Sequence, residues 1–201
     1  MCRNLGNKKR HGFTLTEVAI VLGIVGIILG GIWAAAAQVY ANRKVESGIE
    51  EVIDLVGGVR SLFAAKGSVD PGDLTQAAVN SGLYRADMLQ SGGCGAAPNG
   101  GDNPVPCPLD PWGGEVELGG GGSAWPCMSG ACSSNDFNII LWGLGTHCTA
   151  FLGSLVSQAT SDGLVAIYSD TEGDYAVSTS TPVNDQHIVS CNGNVVLEFQ
   201  L

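Results

Sequence analysis

The stretch "KKRHGFTLTEVAIVLGIVGIILGGIW", Lys8 to Trp33, decides the fold of this 201-residue chain. A basic cluster precedes Gly12 and Phe13, and an apolar run follows in which the single carboxylate, Glu17, sits close to the start. Val18 to Ala41 carries no charged side chain. As a helix it would be about 36 Å long, enough to cross a hydrocarbon core. A charge inside such a helix costs about 2.5–3.5 kcal/mol on insertion scales, so Glu17 calls for a partner. Nothing else in the run is charged, which points to a second copy of the chain. The plainer alternative puts Glu17 at the level of the lipid headgroups.

Working outward, the helical pattern does not stop with the apolar run. Ile49, Val52, Ile53, Val56, Val59, Leu62 and Phe63 recur at three- and four-residue spacing and mark one apolar stripe, with Glu46, Glu50, Glu51 and Asp54 off it. The spacing predicts helix from about Phe13 to Ala65, roughly 80 Å long, ended by Gly67 and the Asp70–Pro71–Gly72 turn. The organisation is therefore a leader at 1–12, a long helix at 13–66 with a membrane segment at about 18–41, and a head at 67–201. A secretory signal cut at Ala34–Ala36 is the competing reading. Gly23, Gly26, Gly30 and Gly31 lie inside the apolar helix, each at a cost of about 1 kcal/mol relative to Ala. Close packing between membrane helices explains them; local unwinding of the helix is the alternative.

The head reads as α+β, an antiparallel sheet packed with the long helix. "GDLTQAAVNSG" reads as a short helix closed by Gly82, and Cys148–Ala159 has helical spacing. Phe137–Leu144, Gly163–Asp170, Tyr175–Ser180, His187–Cys191 and Asn194–Leu201 read as strands, with a hairpin turn at Asn192–Gly193. Ser91–Ser134, rich in Cys, Pro and Gly, reads as a long loop region that needs covalent tethering. Seven cysteines indicate an oxidising compartment. A cut after Gly12 removes Cys2 and leaves an even set. Proximity alone suggests Cys94–Cys107 and Cys127–Cys132.

The net charge is −10, and from Gly67 onward Arg85 is the only Lys or Arg. So acidic a body excludes a nucleic-acid-binding surface, which needs clustered basic residues. Basic residues before the apolar run and acidic ones after it place the N-terminus in the cytoplasm. Candidate chemistry is thin. His147–Cys148 suggests a catalytic or zinc pair, but neighbours in a strand point to opposite faces. Cys127 and Cys132 lack paired histidines for zinc. Asp170, Glu172 and Asp174 alternate as in a calcium loop without its closing glutamate, and an acidic turn is the plainer reading. Trp112, Trp125 and Trp142 are candidates for a sugar-binding surface, with a core position the plainer reading of Trp142. There is no nucleophile–base pair and no phosphate loop, so neither catalysis nor a cofactor is expected.

"KKRHGFTLTE" (Lys8–Glu17), with its basic leader, glycine, Phe, Glu four residues on and apolar helix, resembles the processing site of type IV pilins. The resemblance implies that a prepilin peptidase cuts between Gly12 and Phe13 and N-methylates the new Phe13 amine. Glycine suits the cut, since it lets the backbone enter a narrow cleft extended. The partner of Glu17 would then be the Phe13 ammonium of a neighbouring subunit, which sets axial register as apolar helices pack. "SGLYRADML" (Ser81–Leu89), "DPWGGEVEL" (Asp110–Leu118) and "FNIILWGLGTHCTAFL" (Phe137–Leu152) resemble successive blocks of PilS-type type IVb pilins. That likeness implies a Cys148–Cys191 disulfide, worth roughly 4 kcal/mol on the chain-entropy model. It also implies a homo-oligomeric helical filament, built by pilus assembly machinery from subunits held in the inner membrane and ending outside the cell. The implied roles are adhesion, aggregation, motility or conjugative contact. The alternatives are a type II secretion pseudopilin, a low-abundance tip pilin or adhesin, and a monomeric signal-anchored periplasmic binding module. The last would need neither Glu17 nor the Gly12–Phe13 junction.

Overall fold

The computed structural model describes residues 14–94, 104–121, 133–159, 163–170 and 193–201. The chain divides into two compact units, Met1–Asn42 and Arg43–Leu201. One helix, α1 (Leu15–Phe63), contributes to both.

In the first unit every described residue is exposed. Isoleucines, leucines and valines such as Ile20, Leu22, Ile24 and Ile27 are more than half exposed on all sides of the helix. A helix apolar all round needs an apolar surrounding rather than a single face to bury. Among the described residues this is the one helix long and apolar enough to cross a membrane. A Cβ built on Gly23, Gly26, Gly30 or Gly31 meets nothing within 4 Å, so no intrachain contact requires these glycines.

In the second unit α1 becomes amphipathic. Ile49, Val52, Leu55, Val56 and Val59 are buried, each such side chain being worth about 1.5–3 kcal/mol relative to exposure. Leu55 joins the expected stripe, and two residues depart from it. Glu51, expected off it, is buried at 7% exposure, and Leu62, expected on it, is 51% exposed. The helix ends where the Gly67 N–H donates to the Phe63 carbonyl at 2.9 Å. Gly67 has φ +65°, a left-handed cap that glycine adopts without strain.

The sheet is antiparallel, five-stranded and ordered β1-β4-β5-β7-β6. Its strands are β1 (Gly72–Asp73), β4 (Val116–Gly120), β5 (Asp136–Leu141), β6 (Leu164–Asp170) and β7 (Asn194–Gln200). A two-stranded ribbon pairs β2 (Leu89–Gln90) with β3 (Cys107–Pro108). Between β1 and β2 lies the short helix α2 (Thr75–Asn80), after which Gly82 has φ +70°. Helix α3 (Cys148–Ala159) follows a 3-10 turn at Gly145–His147. The core packs the α1 stripe with Phe151, Leu152 and Leu155 of α3 and with Val116, Leu118, Phe137, Ile139, Leu197 and Phe199 of the sheet. The opposite parity of these strands, Glu117, Asn138, Ile140, Val196 and Glu198, is buried too.

The Ser91–Ser134 stretch, expected to be loop, holds β3 and β4. Gly119 and Gly120 sit inside β4 and hide it from a pattern that reads glycine as punctuation. Gly120 has a reason: an added Cβ would lie 1.7 Å from the Asp70 carbonyl oxygen. The strand expected over Phe137–Leu144 stops at Leu141, with Gly143 at φ +73° turning the chain. The strands expected at 175–180 and 187–191, and Asn192 of the expected hairpin turn, lie outside the described residues.

Candidate functional site

The first turn of α1 is built by Thr14 and Glu17. Threonine is a good N-cap because its hydroxyl accepts from a free N–H of the first turn. Here Thr14 Oγ1 accepts from the Glu17 backbone N–H at 3.3 Å. The Glu17 carboxylate reaches back, its Oε2 accepting from the Thr14 N–H at 2.9 Å and from Thr14 Oγ1 at 2.8 Å. Thr16 Oγ1 lies 3.1 Å from Thr14 Oγ1 and can donate to it. This reciprocal arrangement is a capping box, and an acid in the first turn also meets the positive end of the helix dipole. Glu17 therefore has neutral donors within its own chain, which the search for a charged partner alone did not anticipate. Thr14 is the residue that reasoning missed. Its signal was present: Thr, two residues, then Glu, just before an apolar run. Among the described residues, Oε1 of Glu17 makes no hydrogen bond, so one carboxylate oxygen stays available for a cation. Gly12 and Phe13 lie outside the described residues.

In the head Cys94 is joined to Cys107, which ties β3 to the segment after β2. The bond closes a separation of 13 residues, worth about 3 kcal/mol on the loop-entropy model. The two sulfurs lie with Glu115 in a group of metal-ligand type, but sulfurs bonded to each other offer no thiolate to a metal. Cys148 is buried and disulfide-bonded; Cys191, Cys127 and Cys132 lie outside the described residues. His147 and Cys148 are not neighbours on one strand, and Cys148 opens the helix expected over Cys148–Ala159. His147 closes the 3-10 turn. The His147 ring stacks on Trp112 at 5.8 Å, and Trp112 meets Phe151 edge-on at 5.7 Å. Trp142 packs on Ile140, Ala166 and Val196, and Trp125 lies outside the described residues. Asp170 ends β6, while Glu172 and Asp174 lie outside the described residues.

Among the described residues five carboxyl groups are buried: Glu51, Asp110, Glu117, Asp136 and Glu198. Burial pushes Glu51 up to about 7, and it pushes Asp110 up as well. Glu117 is pushed up to about 7, first by burial and then by the neighbouring Glu115 and Asp73 charges. Elsewhere Arg85 bonds Asp87 at 2.9 Å and lies 3.8 Å from Glu50 and 3.9 Å from Asp54. Arg60 donates from Nη2 to the Gln200 carbonyl at 2.7 Å, so these cations tie α1 to the head.

Residues 7–33 match the family model described as the prokaryotic N-terminal methylation motif. No curated protein matches the chain. The match spans Gly12, Phe13, Thr14 and Glu17 and most of the apolar run. It supports a prepilin-type substrate, of pilin or pseudopilin kind, that a prepilin peptidase processes for assembly. It also suggests a structural rather than an enzymatic protein, and with the apolar helix it fits a membrane anchor.

Proposed function

We propose that the chain is the structural subunit of a type IV pilus, most like the PilS-type type IVb pilins. The observation that carries the reading is the methylation-motif match over residues 7–33. It stands at the head of a helix that runs unbroken from Leu15 to Phe63, and the second unit is a disulfide-tied antiparallel head. In this reading the leader 1–12 is cytoplasmic and is removed between Gly12 and Phe13. The long helix is 13–66, and the head, 67–201, is periplasmic and then extracellular. The freed Phe13 amine is N-methylated, and Cys148–Cys191 pins the C-terminal region.

Glu17 then has two successive tasks. In the membrane its Oε2 closes the capping box, which offsets part of the cost of a carboxylate at the apolar run. During assembly its Oε1 takes the Phe13 ammonium of another copy in a charge-assisted hydrogen bond. Capping and pairing use different oxygens, so an incoming subunit need not unwind the first turn.

The test is a pair of substitutions in the full-length chain. Replacing Gly12 with a bulky residue leaves uncut precursor and no filaments. Glu17→Ala is cut normally and inserted normally yet fails to polymerise. Were both variants processed and located like the parent chain, with no filament from any of the three, the proposal would be overturned in favour of the anchored binding module. A pseudopilin shares the same motif. Shearing cells and identifying the main filament protein separates the two, because a pseudopilin would be missing from the sheared fraction.

A further inference from the structure

Within the second unit, α1 and the turn Asp110–Gly114 line one crevice together with Met88 and Phe151. Its walls are apolar except for two carboxyl groups, Glu51 and Asp110, which are 7% and 6% exposed. Asp110 Oδ1 is fully used, accepting from the backbone N–H of Trp112 at 2.9 Å and of Gly114 at 2.8 Å. These two bonds hold the turn closed. Asp110 Oδ2 is buried and accepts no hydrogen bond. Leaving a buried acceptor unmet costs about 1–3 kcal/mol, more when it is charged. Glu51 Oε1 accepts from Ser47 Oγ at 3.3 Å. The Trp112 indole N–H is a buried donor without a partner, but its ring is held by the His147 stack and the Phe151 edge.

We propose that Glu51 is held as a neutral carboxylic acid and that its O–H donates to Asp110 Oδ2, a one-proton latch between α1 and the Asp110–Gly114 turn. The surroundings decide which carboxyl carries the proton. Burial pushes Asp110 up, and the backbone N–H bonds of its own turn and Lys44 of α1 oppose that push by favouring its charged form. Glu51 is pushed up to about 7 by burial first. Ser47 and Arg85 oppose that push, and Asp87 and Asp110 reinforce it. Helix α3 contributes Phe151 to the crevice and no charge. The proton therefore rests on Glu51 and the charge on Asp110. Loss of that proton sets two carboxylates against each other in an apolar crevice, and the turn loosens from the helix. The latch is closed in mildly acidic surroundings and opens as pH rises through neutrality.

The experiment is amide hydrogen exchange on the full-length chain in detergent, corrected for the intrinsic pH dependence of exchange and read at Trp112 and Gly114. Protection there falls about tenfold between about pH 6 and about pH 8, the change linked to one proton over one pH unit or more. Glu51→Gln, which keeps a donor and cannot ionise, holds protection flat over that window. Asp110→Asn keeps the Oδ1 acceptor, so the turn stays closed at low pH. It removes the charge facing Glu51, and the midpoint of the remaining response moves down. Flat protection in the parent chain would overturn the latch. So would a pH response in Glu51→Gln equal to the parent's, or an Asp110→Asn midpoint that stays where the parent's is.

Discussion

The two stretches of α1 differ in what surrounds them. Before Asn42 its apolar side chains point in every direction and none is buried by the chain itself. After Arg43 one stripe is buried against the head, and Glu46, Glu50 and Asp54 stay off it. A single unbroken helix thus satisfies its backbone by the same hydrogen bonds in both stretches and changes only its side-chain pattern. The lesson is that the stretches should answer to different perturbations. The first depends on its surroundings and on its first turn. The second depends on packing, a disulfide and buried charge.

The largest expected effect that sharpens this contrast is Phe151→Ala. Phe151 is fully buried in α3, and deletion of a core phenylalanine costs about 3–5 kcal/mol. Near-ultraviolet circular dichroism of the full-length chain should show a lower melting temperature. Ile24→Ala, in the apolar stretch, should leave that temperature unchanged. Equal shifts from both would break the contrast. Next is the pair Cys94→Ser and Cys107→Ser, expected to cost about 3 kcal/mol in denaturant unfolding of the head, with no change in membrane insertion.

A smaller effect comes from Glu117. Its folded-state pKa is raised to about 7, so the folded head keeps a proton that the unfolded chain releases near the ordinary glutamate value. The corresponding stability is fully present below that ordinary value and is lost as pH rises through about 7. With water still screening part of the site, the loss is about 1–2 kcal/mol. Thermal melts between about pH 5 and pH 8 should therefore show falling stability, and Glu117→Gln should flatten the slope. Smallest is Thr14→Ala, which removes a helix cap worth about 1 kcal/mol. It should fray the first turn, seen as faster exchange of the Glu17 amide, without moving the melting temperature of the head.

Much of this was legible in the sequence, for physical reasons. The α1 stripe was visible because residues spaced by three and four share a face. The strands at Phe137, Gly163 and Asn194 were visible because β-branched and aromatic residues cluster there between turn residues. Strand β4 was not, because Gly119 and Gly120 read as loop, while the close approach of the Asp70 carbonyl that demands Gly120 is a tertiary fact. Glu51 was misread because a glutamate beside an apolar stripe looks solvated, and only the fold shows the crevice that buries it. Helix α3 was legible from the spacing of its apolar residues, but the 3-10 turn that places His147 before it was not, since it follows the positive-φ Gly143 and Gly145. At the candidate site the carboxylate stood out by its cost, whereas the threonine that caps with it did not.

The central claim is that removal of the leader frees an amine that the Glu17 carboxylate of another copy can hold. It is tested most directly by intact-mass and N-terminal fragment analysis of the mature protein from cells. The expected first residue is Phe13, carrying one methyl group on its amine. A mature chain that begins at Met1, or after Ala36, or anywhere other than Phe13, would contradict it.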